Sequence, residues 1–549
     1  MTIEAATNIA TLNPLYPATG DSRTEGDDHI RLVKTVLQTL PVSGGAAQIG
    51  YINSGAGTFL RNVQDRLRDI VSVKDFKNSD LTQVLCDSDA LGSVGQDAVT
   101  GVQAALTAVG ANGAALYVPG FIKISAALNI TKSGTRIYGA GRGNSGFITT
   151  SITADVFTCS AGLANVEFHD FYVWSTVTKT AGNVFTCPTA ARYVFDNLVV
   201  GDRSTVASLG NRFYRIIDLQ GCDDSIVTGC QLSGYSLEGI RAYGVGAYSS
   251  ELHIGGGTRI SSGGIGVHIA GNFGGAYFGE VAIDLNVKNI VIDQSASATI
   301  NREIFLGPDT VLDVCSDTGL EVGTNACSSL TLTGTWIASA GRYGTPSGNQ
   351  TNCNVLPTNA ALIFKATGVR FFNATGNGLV INGCAHAQLT GNCYDSNVGV
   401  GLYFPNSAIG SINSVGGKST SNGTGLQIAP GVLTFNFDGL DLIGNTTAVS
   451  NGAGLGATKT IRNSPGYATA SYGGGSIGVA ASSLAITHGL AVTPGFNNIV
   501  ISPTSNPASS SVVNTWVSAV GATTFTVSTN AAVAVTPLTL SWSANVAAG

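Results

Sequence analysis

The sequence predicts an all-β chain wound as a parallel β-helix solenoid, with a small module at each end. Three observations predict it. First, a unit of Gly, apolar, any residue, apolar recurs through the middle of the chain: GIRAYG from Gly239, GVHIAG from Gly266, GLEVGT from Gly319, GLVING from Gly378, GLYFPN from Gly401 and GLQIAP from Gly425. Those glycines lie 27, 53, 59, 23 and 24 residues apart, so the two long gaps each hide one further winding. A period of 20–30 residues built from short β-branched and apolar strands, with no helical spacing, marks a β-solenoid. Second, the chain has 72 glycines and only 11% charged residues, which suits a fold that turns a corner every few residues. Third, 549 residues with 44% hydrophobic content exceed what one compact core holds, and argue for a quasi-linear array rather than a disordered chain.

The order of elements follows. Residues 1–60 are an N-terminal segment with a Pro-rich lead and an expected helix from about Gly26 to Leu40. Asp27 and Asp28 stand at its positive end, and Ile30, Val33, Val36, Leu37 and Leu40 form its apolar face. His29 is read as a helix-surface residue. Residues 41–60 are Gly/Ala/Ser-rich and read as a linker. Residues 61–110 form a neck: Val63, Leu67 and Ile70 have helical spacing, VSVKDF is extended, and residues 96–109 are an amphipathic helix. The solenoid spans 111–467, beginning with GAALYVPG. GAGRG at 139–143 is a tight corner, because no βαβ unit surrounds it as a phosphate loop requires. Residues 468–549 have few charges and alternate as hairpin strands, so a C-terminal β-sandwich-like module is expected.

Two of these stretches carry a resemblance. The LNPLYPATG…GDDHIRLVK block resembles the N-terminal modules of bacteriophage tailspike and tail fibre proteins. The Arg-rich neck with VSVKDF, the helix at 96–109 and the LYVPG strand resemble the opening of the pectate-lyase-like right-handed parallel β-helices that such spikes carry. DSDALGSVGQDAVT departs from the acidic segment usual there, so Asp87, Asp89 and Asp97 take no role from it. The C-terminal HGL…P strand resembles tailspike modules that trimerise the chain or contact sugar, which points at His488 and Trp516. The resemblance implies a homotrimer, attachment to the phage tail or baseplate through the N-terminus, and binding and depolymerisation of a bacterial capsular polysaccharide or lipopolysaccharide O-antigen. It places the protein on the virion tail, made in the host cytoplasm and working outside the cell.

Several classes are disfavoured by composition. A net charge of −6 argues against nucleic acid as a partner. No signal peptide leads the chain and no 18-residue apolar run suggests a membrane span. The ten cysteines form no CxxC pair and read as reduced, buried core residues; Cys222, Cys230, Cys384 and Cys393 sit beside strands where windings stack. No metalloprotease, serine-hydrolase, phosphate-loop or zinc pattern occurs, so neither a cofactor nor a catalytic metal is expected.

Alternate residues of a strand point to opposite faces. In the recurring unit the residue between the two apolar positions faces outward, giving the column Arg241, His268, Glu321, Val380, Tyr403 and Gln427. Arg241, His268, Glu321 and Tyr403 are substrate-binding candidates, with Arg302 as a ligand for a sugar carboxylate or a partner of Glu303. Three segments begin with Glu before an apolar-x-apolar strand: ELHI at Glu251, EVAI at Glu280 and EIFL at Glu303. Stacked at ~5 Å per winding, they would form a column of catalytic carboxylates, the paired acids that glycoside hydrolysis needs. Asp284, Asp293, Asp309 and Asp313 are alternative acids, and Asp223–Asp224 a weaker pair. Depolymerisation by hydrolysis is favoured. A lyase using His253, His268 or a Tyr as base, and a spike that binds without catalysis, both remain open.

Overall fold

A computed structural model describes residues 28, 30–35, 50–51, 61–62, 70–80, 83–88, 95–112, 115–201, 212–245, 250–507, 512 and 514–546. Its centre is a parallel β-helix. A full winding gives one strand to each of three sheets, and the incomplete windings at the ends leave sheet I with 15 strands, sheet II with 12 and sheet III with 13. One winding, for example, runs through Ser250–Gly255 in sheet I, Thr258–Ser261 in sheet II and Ile265–Ile269 in sheet III before returning to sheet I at Phe273–Phe278. The windings begin with Ile70–Ser72 and end with Lys459–Arg462. His29 and all of the linker expected at 41–60 except Gly50–Tyr51 lie outside the described residues; residues 28 and 30–35 are helical. Gly50–Tyr51 pairs antiparallel with Arg61–Asn62 and Ile70–Ser72 is a strand of sheet I, so the helix expected from the spacing of Val63, Leu67 and Ile70 is not formed at its described ends.

The recurring glycine unit falls where its period requires. Its central residues form one outward column of sheet III, Arg241–His268–Val291–Glu321–Asn354–Val380–Tyr403–Gln427. Val291 and Asn354 occupy the two hidden windings. The flanking apolar residues point inward, and like side chains stack one winding apart: Phe157 on Phe185 with ring centroids 5.3 Å apart, and Phe168 on Phe195 at 5.4 Å. All ten cysteines are free, and all but Cys86 and Cys393 are buried.

Two corners make the winding possible. Following the sheet I strand, twelve successive windings place a residue in the left-handed region: Asp170, Asn197, Gly229, Gly257 (with Gly256), Glu280, Asp309, Gly334, Gly368, Gly391, Gly416 (with Gly417), Gly439 and Asn463. Only Gly, Asn and Asp adopt that conformation readily, so the corner dictates the sequence there, with one exception at Glu280. Between sheets II and III a second left-handed position is followed by an inward residue. That residue is Asn286, Asn397, Asn422 or Asn445 in four windings and the small Cys315, Ala340 and Ala374 in three others. The asparagines form a ladder: Asn352 Nδ2 donates to Asn397 Oδ1 at 3.1 Å, Asn397 to Asn422 at 3.0 Å and Asn422 to Asn445 at 3.0 Å. Each also satisfies corner backbone groups that no strand can reach.

The ends are closed. Helix Val99–Asn112 lays Val102, Ala105, Leu106 and Val109 on the first winding. It starts three residues later than the sequence suggested because Asp97 continues the edge of sheet II beside Lys123 and accepts from Ser125 N at 3.1 Å. Gln103 completes the open edge of sheet III: its amide donates to Asn129 O at 2.8 Å and accepts from Asn129 N at 2.7 Å, pairing the strand as another strand would. Beyond the windings, residues 470–545 form two three-stranded antiparallel sheets around a separate core that includes Ile477, Phe525, Val527, Leu538 and Trp542.

The ladder has a direct test. Asn422 bonds Asn397 N and Nδ2, Tyr394 O, Ser419 Oγ and Asn445 Oδ1. Asn422→Ala leaves several of these buried groups unpaired and is expected to destabilise the chain by about 3 kcal/mol. Asn413→Ala, which breaks the exposed Asn436–Asn413 pair, is expected to change stability by less than about 0.5 kcal/mol. Denaturation midpoints of the two variants check the contrast.

Candidate functional site

Sheet I carries a groove of about 560 Å³ on its outer face, at the corner leading to sheet II. Its floor is a run of rings from three successive windings. His253, Tyr277 and Phe305 are register neighbours, and His253 stacks on Tyr277 at 4.8 Å and 13°. Its rim is the corner itself, where Glu280 and Asp309 precede the paired Val281 and Thr310 and so stand one winding apart. Both are exposed and both are left-handed, with φ +54° and +61°. Gly, Asn or Asp fills every other winding at that corner. Glutamate gains no local hydrogen bond that offsets the conformation as Asp and Asn do, so Glu280 sits there at a cost of roughly 1–2 kcal/mol.

The expected column of Glu251, Glu280 and Glu303 is corrected by this register. Glu251 and Glu303 share a column of sheet I, but Gly275 stands between them and Glu280 is outside it, at the corner. Windings differ in length: 24 residues separate Glu251 from Gly275 and 28 separate Gly275 from Glu303. Similar spacing along the sequence therefore did not mean similar height and side. The Tyr277 ring lies back over Gly275, where an added Cβ would approach it to 2.7 Å. Partial burial raises the Tyr277 hydroxyl pKa, and Glu303 and Glu251 raise it further. Arg302 and Glu303 are both exposed, and no ion pair joins them. Asp224 lies 3.7 Å from Arg192, on the same sheet.

The outward column of sheet III holds a charge network that is largely closed. His268, Glu238 and Asp218 are 7%, 4% and 3% exposed. His268 Nδ1 is 3.1 Å from Glu238 Oε1 and its Nε2 is 3.0 Å from Asp293 Oδ1. Arg215 donates from Nε to Glu238 Oε2 at 2.8 Å. Burial pushes the His268 pKa down, but Asp293 and Glu238 reverse this and raise it to about 9. Burial pushes Glu238 and Asp293 up, and their bonds to His268, with Arg215 for Glu238, hold both below the usual carboxylate range. His268 is therefore an imidazolium at neutral pH, already bonded on both nitrogens. Glu321 is bound by Lys288 at 2.7 Å. Arg241 lies over the Tyr243 ring at 4.7 Å and Tyr403 is half-buried. Sequence reasoning placed Arg241, His268, Glu321 and Tyr403 on one face. It missed Arg215 and Glu238 and named Asp293 only as an alternative acid, whereas all three neutralise that face; it also missed the ring floor of sheet I. One signal was present: GEVAID and PDTVLD repeat an acid, three residues and an acid at a separation of 29, one winding.

Among the described residues no group of His, Cys, Asp and Glu is arranged to hold a metal ion, and no helix is long and apolar enough to cross a membrane. No protein-family model and no curated protein matches the sequence. Solved structures do match. A tailspike protein of E. coli bacteriophage HK620, solved with a pentasaccharide, aligns with TM-score 0.56 and 12% identity over 93% of this chain and 100% of the other. Tailspike protein 3 of bacteriophage CBA120 aligns with TM-score 0.42 and 16% identity over 80% and 69%. The A-module of a mannuronan C-5 epimerase of Azotobacter vinelandii aligns with TM-score 0.42 and 14% identity over 72% and 98%. The first of these shows that the chain has the parallel β-helix fold of a phage tailspike.

The His268 network makes stability depend on pH. Its folded pKa lies above the ordinary histidine value, so its contribution is complete below about pH 6.5 and is lost as pH rises through about 9. The loss is expected to reach roughly 3 kcal/mol by pH 10. Denaturation midpoints at pH 7 and pH 10 are expected to separate in the wild type and to converge in His268→Gln.

Proposed function

We propose that the protein is a phage tailspike that binds and depolymerises a bacterial surface polysaccharide, capsule or O-antigen, by glycosidic hydrolysis in the sheet I groove. The observation that carries this reading is the pairing of Glu280 with Asp309 at the rim of a ring-floored groove, in a conformation that Glu280 adopts only at a cost. Strained side chains of that kind persist where function holds them. The faces of His253, Tyr277 and Phe305 suit the apolar faces of sugar rings. A ribbon of such rings running along the solenoid axis suits an extended polymer.

The chemistry follows from the spacing. The backbones at Glu280 and Asp309 are one strand spacing apart, ~4.8 Å. At that spacing the two side chains can bring their carboxyl groups to the ~5–5.5 Å found in retaining glycosidases. Glu280, on the longer side chain, protonates the leaving glycosidic oxygen. Asp309 attacks the anomeric carbon to form a glycosyl ester. Water, deprotonated by Glu280, then hydrolyses that ester. Residues 1–60 attach the spike to the phage tail, the working assembly is a homotrimer, and the windings present the groove to the cell surface.

A spike that binds without cleaving is the second reading, favoured by the exposure of both carboxylates. Purified protein incubated with capsule or lipopolysaccharide from candidate hosts, followed by mass spectrometry of the soluble products, separates the two. Hydrolysis releases saturated oligosaccharides that have gained one water, a lyase releases products unsaturated at the non-reducing end, and a binding spike releases none. Glu280→Gln is expected to lower the release rate by at least ~10²-fold. Glu280→Gly is expected to abolish release while raising stability by about 1 kcal/mol, because glycine relieves the left-handed corner. Full activity in either variant would remove Glu280 from the mechanism.

A further inference from the structure

The outer face of sheet II, one strand away from the groove, carries a second arrangement with no role in the proposed hydrolysis. Arg259, Ala282, Val311 and Trp336 occupy one outward position in four successive windings. The side chains run large, small, small, large. Three strand spacings, ~14 Å, separate the backbones at Arg259 and Trp336, and a methyl and an isopropyl group occupy the positions between them.

The far wall is rigid. Arg370, one winding beyond Trp336, lies 4.7 Å from the indole centroid and 4.2 Å from that of Phe372. Asp395 holds it through Nε–Oδ1 at 3.2 Å and Nη2–Oδ2 at 2.8 Å. One face of the indole is thus covered by a fixed guanidinium, and Val311 and Ala282 occupy the same outward position in the two preceding windings. The near wall is fixed the same way: Arg259 bonds Asp284 through Nε–Oδ1 at 3.3 Å and Nη2–Oδ2 at 2.7 Å.

Charge decides what fits between them. Both guanidinium groups are neutralised by their aspartates. Asp313 lies one winding from Asp284 on the same side of the slot. Its Oδ1 accepts from Val314 N at 2.9 Å, and its other oxygen has no partner among the described residues. The slot therefore offers an aromatic face, a spare anionic acceptor and no free cation. We infer that the Arg259–Trp336 slot on sheet II is a second saccharide site, which stacks a neutral pyranose on Trp336 and takes its hydroxyl hydrogens on Asp313. A uronic acid or other anionic sugar is excluded by Asp313. The site needs neither Glu280 nor Asp309, so it stands or falls apart from the hydrolysis above.

The test is titration of the full chain with methyl glycosides of glucose, galactose, mannose, rhamnose and N-acetylglucosamine, and with methyl galacturonoside, read by saturation-transfer NMR and indole fluorescence. At least one neutral glycoside is expected to bind in the millimolar range and the uronoside not to bind. Trp336→Ala is expected to weaken that binding at least tenfold. So is Ala282→Phe, which fills the slot and leaves the indole in place, so that a folding defect in the first variant does not decide the matter. Glu280→Gln is expected to leave it unchanged. Absence of an indole-fluorescence response to every neutral glycoside, a stronger response to the uronoside, or an indole response that survives both slot substitutions would overturn the inference, whereas saturation transfer that survives them without it reports the sheet I groove.

Discussion

The structure depends on one constraint: every winding must return the chain to the same height and direction, one strand spacing on. Sheet hydrogen bonds enforce it along the strands but not at the corners, where the chain leaves one sheet for another. The corners are held by two other means. A left-handed residue redirects the backbone between sheets I and II in twelve windings, and buried asparagines bond the backbone between sheets II and III, each also passing a hydrogen bond to the next. Remove either and the strands lose the alignment that stacks Phe157 on Phe185 and Phe168 on Phe195.

That constraint also sets the price of a functional group. Side chains pointing out from the strands are free to vary, since each faces solvent or a neighbour one winding away. A position at the corner between sheets I and II is not free, because its φ admits glycine, asparagine and aspartate far more readily than anything else, although the corner between sheets II and III holds Ser262, Leu285, Val314, Ser339, Ser396 and Ser421 in the same region. Glu280 breaks that rule beside Asp309, which obeys it, and both stand at the mouth of the groove floored by His253, Tyr277 and Phe305. The departure from that corner's preference and a ring-lined groove of sheet I coincide in the same two windings.

The charged residues divide in the same spirit. On sheet III, Arg215, Glu238, His268 and Asp293 satisfy one another and leave little to offer a ligand. Their burial makes the network a stabiliser whose balance depends on His268 keeping its proton. On sheet II, paired guanidinium groups act as rigid walls rather than as free cations. Charge that looks equally available along the sequence is spent in some places and unspent in others.

The sequence alone determined the solenoid. The glycine unit carries both the period and the inside–outside alternation, and these are local properties of strands that survive without knowledge of any partner. The column Arg241–His268–Glu321–Tyr403 was legible for that reason, down to the two windings hidden in its long gaps. The C-terminal strands were legible from their own alternation, but among the described residues only Thr515–Val520 and Thr524–Thr529 pair as a hairpin, since Ser483–Thr487 and Ile499–Pro503 go to different sheets. Only the tertiary structure decided which acids meet. Glu251, Glu280 and Glu303 look equivalent in sequence, but windings of 24 and 28 residues put Gly275 between the first and last and send Glu280 to a corner. The height of a residue depends on the summed length of every loop before it, and loop length leaves no mark in a strand's own residues.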